Sequence, residues 1–545
     1  MLPGTALAQS GTEAATTELR ARFEGLPTSN STAAPAAMVV SGELLFARQA
    51  LGDFYPGRDY RPAWTTGGRP GLAVAELIGA IHGAFREGLD PRDYHLEELD
   101  DLWSQLNETG LDDSDPATLA DFDLLASDAF MLLGSHLLSG RVNPETIHSE
   151  WLANRRGGDF AAVLDTALSG RGVAVTLEGL LPRQPGYARL RSALTRYRAL
   201  EPGGAWPSVS EGRALEQGDR GERVGELRRR LEAEYLLERS EVGDEELFDA
   251  RLDDAIRTFQ ERHGLSPDGV VGAGTLAALN VPIEDRISQI ELNLERWRWL
   301  PADLGRRHIR VNIGAYSLEV VDQGTAVLSM RAIVGRTYRR TPVFSDTITY
   351  LVLNPYWNVP HDLAVLDKLP LIKKDPSYLA SQRIRVYGGW SAGAQEIDPA
   401  TVDWQTLGGR NFSYRLIQEP GPNNALGRIK FMFPNKFNVY LHDTPGRELF
   451  SKDRRDFSSG CIRVEDPIGL AAYLLSGDGR WTRASIEAAL ATGRDQTVTL
   501  GNKMPVHLLY WTAWANEDGS ISFRPDIYGR DSVLDQALHT RAPDA

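Results

Sequence analysis

The chain has one cysteine, Cys461, set in Ser458-Ser459-Gly460-Cys461-Ile462-Arg463-Val464, a polar turn rather than an apolar run. A lone cysteine is often an inert buried hydrophobe, and that reading stands beside a functional one. The neighbours point to function. A glycine just before a nucleophile lets the backbone turn sharply and exposes the thiol, with main-chain N–H groups free to face an oxyanion. Gly460 and Ser459 are therefore the candidate oxyanion residues. A thiol also needs a base near neutral pH, and an imidazole is the usual partner. Of ten histidines, His442 in Tyr440-Leu441-His442-Asp443-Thr444-Pro445 is the strongest candidate. Read as a strand over 437–442, Asn438, Tyr440 and His442 share one face, and Val439 and Leu441 the other. Cys461 and Arg463 share a face in the same way, with Ile462 and Val464 turned inward. Tyr440, His442, Cys461 and Arg463 then converge over one edge of a sheet. Arg463 suits bidentate capture of a carboxylate, and a structural ion pair is the competing role. Asp466-Pro467 reads as the capped start of a helix, too far from the thiol for a strong dipole effect.

The elements that position these residues belong to a chain of 545 residues with 42% hydrophobic and 24% charged residues, enough for three or four packed domains. The net charge is −15, which argues against a nucleic-acid partner. One cysteine excludes a disulfide framework and a multi-thiolate zinc site. No apolar run is long enough for a polytopic membrane protein. Thr5-Ala6-Leu7-Ala8-Gln9 has the small-residue character of the end of a signal peptide, although no apolar core precedes it. The expectation is an exported protein lacking part of its signal, with residues 1–37 an export remnant and disordered lead-in.

Residues 38–207 read as a helical scaffold without a catalytic signature, from the stripe Leu72, Val74, Ala75, Leu77, Ile78, Ile81 and the mostly apolar run Phe122 to Leu138. Residues 208–282 form a separate small helical unit. Its markers are Val224, Leu227 and Leu231, then Leu252, Ile256 and Phe259, then the turn Gly264-Leu265-Ser266-Pro267-Asp268-Gly269. Residues 283–307 read as a connecting helix, in which Trp297 and Trp299 serve packing rather than ligand stacking. From Ile309 the period falls to two, giving a β domain over 308–530 with strands at 309–313, 317–321, 350–353, 437–442 and 506–511. Residues 361–430, rich in Pro, Gly, Asn and Trp, interrupt it as an insertion of the length expected for a lid. Residues 531–545 read as a tail.

Two of these patterns resemble known families. The 208–282 unit is similar to the three-helix peptidoglycan-binding domain in its Phe259-Gln260 pair, Asp268-Gly269 turn and Gly272-x-x-Thr275 step, whether it binds glycan or acts as a spacer. The His-x-Thr of His442 to Thr444, followed by Ser-x-Gly-Cys-Ile-Arg, resembles the L,D-transpeptidase catalytic domain of YkuD type. Asn354-Pro355-Tyr356-Trp357-Asn358-Val359-Pro360 and the Trp297/Trp299 helix look like the large YcbB-type subgroup. That subgroup adds a helical scaffold, a peptidoglycan-binding domain and a capping insertion. Two positions depart from the common pattern: Asp443 stands where many relatives have Gly, and Ser459 where many have His.

The resemblance implies a multidomain α+β protein whose mostly-β catalytic domain needs no metal or cofactor. It makes Cys461 the nucleophile and His442 the base of a peptidoglycan L,D-transpeptidase. Such an enzyme joins tetrapeptide stems by 3→3 cross-links in the periplasm or cell envelope, reacts with carbapenem-type inhibitors and contributes to cell shape. The main-chain N–H groups of Gly460 and Cys461 would stabilise the oxyanion, with Gly460 and Ser459 as the backbone of that site, and Arg463 and Tyr440 would contact substrate. The imidazole would be oriented by a backbone carbonyl, as is common in the family, or by the Asp443 side chain. A hydrolase using the same residues, a non-catalytic wall-binding scaffold and a generic cysteine protease are the alternatives.

Overall fold

The computed structural model describes residues 3–24, 38–66, 69–109, 115–152, 155–201, 206–238, 244–391 and 393–540. It divides into two compact units, one of residues 1–148, 154–302 and 511–545, the other of residues 149–153 and 303–510. Among the described residues no helix is long and apolar enough to cross a membrane.

In the first unit the helix Leu72–Gly83 buries Val74, Leu77, Ile78 and Ile81, while Leu72, at its exposed first turn, lies outside the expected stripe. The central helix Pro116–Ser139 is buried almost throughout, and its few polar positions each hold something. Asp123 accepts the Tyr55 hydroxyl at 2.6 Å and the Ala63 and Trp64 N–H groups. Ser127 accepts the Trp64 indole at 2.9 Å. Asp128 accepts two backbone N–H groups and faces His95 at 2.9 Å. These bonds offset the cost of burying polar groups. The disordered lead-in expected before residue 37 is corrected in part. Residues Pro3–Phe23 form a helix that buries Ala15 and Leu19, stacks Phe23 5.3 Å from Tyr55 and pairs Arg22 with Asp121. Two small apolar residues suffice where tertiary packing supplies the helix. The rest of the lead-in, 25–37, lies outside the described residues.

The three-helix pattern of 208–282 is realised as Glu222–Ala233, Ala250–Arg262 and Ala273–Leu279. Its motif residues serve the fold itself. Gln260, buried in the second helix, donates to Asp268 at 2.8 Å, Val270 O and Thr275, and accepts the Gly269 N–H at 2.9 Å. Gly269 has φ +77°, which only glycine adopts cheaply. The following helix, Ile283–Arg298, buries Trp297 against Trp511 with centroids 4.3 Å apart, and Trp299 donates to Glu295, as their packing role requires.

The second unit is built on strands β1 Arg307–Asn312, β2 Ser317–Asp322, β3 Thr325–Gly335, β4 Phe344–Leu353, β5 Trp357–Asn358, β6 Ile384–Tyr387, β7 Glu396–Ile397, β8 Arg415–Gln418, β9 Ile429–Met432, β10 Leu441–His442, β11 Asp456–Ser458, β12 Ile462–Val464 and β13 Gln496–Leu509. Nine of them form one sheet in the order β11-β3-β12-β10-β9-β4-β13-β1-β2, and β2 also pairs with β3, which closes the ring. Closure leaves no long open edge. The pair β10–β12 is parallel, with Leu441 opposite Ile462 and His442 opposite Arg463. The strand expected over 437–442 shortens to β10. Asn435 turns the chain by accepting the Phe437 and Val439 N–H groups, and Asn438 takes φ +54°, so Asn438 does not share the β10 face. The expected β domain runs to 530, whereas the unit holding the sheet ends at Tyr510.

Between β4 and β9 the insertion is a small domain rather than an irregular lid. The sheet β7-β6-β8-β5 and short helices enclose a core of their own, including Trp357, Leu369, Ile372, Val386 and Leu416. Its ends meet on the main sheet, where Leu353 pairs with Ile429 and Asn354 N–H donates to Arg428 O at 2.7 Å. Replacing residues 357–426 by a short Gly-Ser linker should therefore shift the melting temperature by no more than roughly 5 °C. Acyl transfer should fall by roughly tenfold or more, because the site loses its cover. Unfolding of the shortened chain would place the insertion in the core of the sheet.

Candidate active site

The sheet brings Tyr440, His442, Cys461 and Arg463 together. β10 and β12 are neighbours in register, and Ile462 N–H donates to Tyr440 O at 3.1 Å, so Tyr440 stands beside Cys461 and His442 beside Arg463. The Tyr440 and His442 rings lie 5.7 Å apart. From the other side β9 places Lys430 opposite His442, its Nζ 3.8 Å from the centre of the Tyr440 ring, a cation–π distance.

The turn before Cys461 is tightly held. Gly460 has φ +116°. Its N–H donates to Ser458 Oγ at 3.1 Å, and its carbonyl accepts Thr341 Oγ1–H at 2.8 Å. Ser458 Oγ–H in turn donates to Cys461 O at 2.5 Å. Thr341 also accepts Gly335 N–H, and Arg336 N–H donates to Ser458 O at 3.0 Å. The loop 336–341 is thus wrapped over the turn, so closely that a Cβ on Gly335 would sit 2.1 Å from Arg339 O. This corrects one expectation. The Gly460 N–H is already spent on Ser458 and cannot serve an oxyanion. The Cys461 N–H has no hydrogen-bond partner among the described residues and is the donor left at the turn. Ser459 is exposed, and its Oγ accepts from Arg339 at 3.1 Å.

His442 is buried, and its Nδ1 lies 2.5 Å from Asp443 O. A carbonyl only accepts, so Nδ1 carries the proton of the neutral ring and Nε2 is its basic nitrogen; the Leu426 backbone also bonds to the imidazole. Burial, then the charges of Arg463 and Lys430, pull its pKa down to about 3. The ring is neutral. The Asp443 side chain is engaged elsewhere: it accepts Arg428 N–H at 2.8 Å, lies 3.5 Å from Arg447 and packs on Gly427. Of the two possible orienters, the backbone carbonyl occupies the position.

Cys461 is partly exposed, and its Sγ faces Asn438 O at 3.9 Å. Among the described residues no hydrogen bond joins Sγ to the His442 ring. Burial raises the thiol's pKa, and Tyr440, Lys430 and Arg463 oppose the rise. Arg463 makes no ion pair among the described residues; its Nε is buried without a partner, and the nearby Arg336 charge adds repulsion. A buried guanidinium without an ion-pair partner can take an anion from outside. Asp466 caps the helix Pro467–Leu474 by accepting Gly469 N–H at 2.9 Å, as its sequence suggests. No group of side chains suited to a metal is found among the described residues. Sequence reasoning passed over Lys430 and Arg339. The alternation Ile429-Lys430-Phe431-Met432 could have marked Lys430, whereas nothing local marks Arg339.

Residues 306–487 match the family model of the L,D-transpeptidase catalytic domain. Residues 49–194 match a scaffold domain, and 220–279 the model described as a putative peptidoglycan binding domain. The chain therefore carries an L,D-transpeptidase catalytic domain of YkuD type and a peptidoglycan-binding domain. It is 38% identical over 255 residues to a Haemophilus influenzae protein named "Putative L,D-transpeptidase", a match covering 47% of this chain and 50% of the relative. It is 44% identical over 80 residues, 13% of this chain and 20% of the relative, to the Mycobacterium tuberculosis N-acetylmuramoyl-L-alanine amidase CwlM. The matches thus span half or less of each curated relative. A solved L,D-transpeptidase fragment from Xylanimonas cellulosilytica aligns over 55% of this chain and 98% of its own, at 16% identity and a TM-score of 0.17, below the level at which folds count as alike.

Two outcomes test this geometry. Alkylation of Cys461 should accelerate with pH through the ordinary thiol value of 9.0 and beyond, because burial raises the pKa and only the thiolate reacts. A low-pH plateau would reveal a preformed thiolate–imidazolium pair. Asp443→Asn should keep Cys461 acylation within about threefold, against the ~10⁴ loss seen where a carboxylate orients the histidine.

Proposed function

We propose that the protein is a peptidoglycan L,D-transpeptidase that forms 3→3 cross-links through a Cys461 acyl-enzyme. The observation that carries this reading is the single thiol beside a free main-chain N–H, a neutral imidazole tethered through Nδ1 and an unpaired guanidinium, all on one sheet face. As Sγ attacks the carbonyl carbon at the third residue of a tetrapeptide stem, His442 Nε2 takes the thiol proton. The oxyanion is held by the Cys461 N–H. The C–N bond to the terminal D-Ala then breaks, and His442 returns the proton to the departing amine. The thioester is next attacked by the side-chain amine of a second stem's third residue. His442 accepts a proton from that amine and delivers it to sulfur as the C–S bond breaks.

A neutral imidazole suits this cycle, since a protonated one could not act as base. Arg463 is placed to hold a donor carboxylate, with Tyr440 on the same face. The peptidoglycan-binding domain fits attachment to the wall, and the substrate places the protein in the periplasm or cell envelope. Carbapenems, which present a strained carbonyl and a carboxylate, are the expected covalent inhibitors.

Incubation with purified tetrapeptide muropeptides should give 3→3 dimers by mass spectrometry, and Cys461→Ala should give none with an unchanged circular dichroism spectrum. His442→Ala should lose roughly 10²-fold or more. A carbapenem should add once to the wild type and not to Cys461→Ala. Release of D-Ala with water as the only acceptor would identify a hydrolase instead, and an adduct persisting in Cys461→Ala would move the nucleophile to Ser458 or Ser459.

A further inference from the structure

The insertion and the nucleophile turn are joined by one side chain. Arg339 lies in the loop 336–341 that wraps the turn. Its Nη1 and Nη2 donate to the two oxygens of Asp367 at 2.6 and 2.8 Å, and Nη1 also donates to Ser459 Oγ at 3.1 Å. Asp367 belongs to the insertion, in the helical turn Ala364–Lys368. Ser459 is two residues from Cys461. The guanidinium is largely covered, with 18% of its side chain exposed, and the two-pronged geometry is the strong form of an arginine–carboxylate contact.

The loop that carries Arg339 cannot move without moving the turn. Thr341 holds Gly460 O at 2.8 Å, Arg336 N–H holds Ser458 O, and the loop passes so close over Gly335 that a Cβ there would sit 2.1 Å from Arg339 O. On the other side, Asp367 sits beside Lys368, whose Nζ lies 5.2 Å from the centre of the Trp357 ring and donates to Tyr378 at 3.0 Å. Trp357 is part of the insertion core against which Tyr440 packs. Displacing the insertion therefore removes Asp367 from Arg339 and the cover from Tyr440 together.

We propose that Arg339 is a positioning residue that couples closure of the insertion to the Ser459-Gly460-Cys461 turn, so that the Cys461 N–H is set for an oxyanion only when the site is covered. The acyl-transfer part of this inference rests on the function proposed above; the coupling itself does not. A device of this kind favours transfer over hydrolysis, because the turn is competent when water is excluded.

The test uses the full chain with Asp367→Asn, Asp367→Glu, Arg339→Met and the double variant Arg339→Met/Asp367→Asn. Intact-mass kinetics follow two reactions at Cys461, alkylation by iodoacetamide and acylation by a carbapenem, with melting curves as the folding control. Asp367→Asn and Arg339→Met should speed alkylation roughly threefold or more as the cover opens. They should slow acylation by roughly threefold or more as the turn loses its setting. General destabilisation would also expose the thiol and slow acylation, so the signature is these opposite signs at an unchanged melting temperature. Asp367→Glu, which keeps the charge, should stay near wild type, and the double variant should be no worse than either single one. Unchanged alkylation in folded Asp367→Asn and Arg339→Met, or losses of acylation that add in the double variant, would overturn the coupling. If the wild type takes no carbapenem while Asp367→Asn still speeds alkylation, the latch stands and the acyl-transfer reading falls.

Discussion

The site depends on the backbone of one glycine. Gly460 sits at φ +116°, a conformation that a side chain would strain, and both of its polar groups are bound, the N–H by Ser458 and the carbonyl by Thr341. With those groups fixed, the next residue has one direction available. Its N–H is left free and its thiol leaves the turn on the face shared with His442. The proposed oxyanion donor and the proposed nucleophile are thus products of the same constraint. The price is rigidity, since the loop from Gly335 to Thr341 must follow any movement of the turn.

The charges around the thiol follow from what the sheet leaves unpaired. The charges of Lys430 and Arg463 act on both Cys461 and His442; neither makes an ion pair among the described residues, although the Glu448 charge reaches Arg463. Their field favours a thiolate, while burial disfavours it and prevails, so the pKa lies above its ordinary value. The same cations and the same burial hold His442 neutral. The resting pair is therefore thiol and imidazole, and proton transfer accompanies attack. In the proposed reaction an anionic stem entering this field would gain attraction that a neutral one does not, favouring a donor with a free carboxylate.

Much of this was legible because the chemistry lies in short, local patterns. Ser-x-Gly-Cys-Ile-Arg marks a turn that needs glycine, and a period of two in the flanking residues marks strands whose faces follow at once. The Gln260, Asp268, Gly269 and Thr275 pattern is legible for a different reason: those residues bond to one another across a single turn. Alternation misled at Asn438, where Asn435 makes side-chain bonds that compete with the ladder. The glycine-turn argument fell short at Gly460, because whether an N–H is free depends on a serine two residues away. The helix Pro3–Phe23 was hidden because its composition resembles a linker and its order comes from Tyr55 and Asp121, distant in sequence. Arg339 was illegible for the same reason, having partners 28 and 120 residues further along.

An insertion with its own core can move as a body, and the strength of its tether then decides how it works. The Arg339–Asp367 contact is partly exposed, with 35% of the Asp367 side chain open to solvent, and such ion pairs contribute on the order of 0–1 kcal/mol. Arg339 also lowers the pKa of Asp367 through its hydrogen bonds, so the pair stays charged across the neutral range and the tether is not a pH switch. A bond of that size holds the cover down without trapping it. In the proposed reaction two stems enter and a cross-linked product leaves, and a deeply buried pair would make each opening costly, because separating it strands a charge. A partly exposed arginine fork gives direction to the turn while leaving the cover free to open once per cycle.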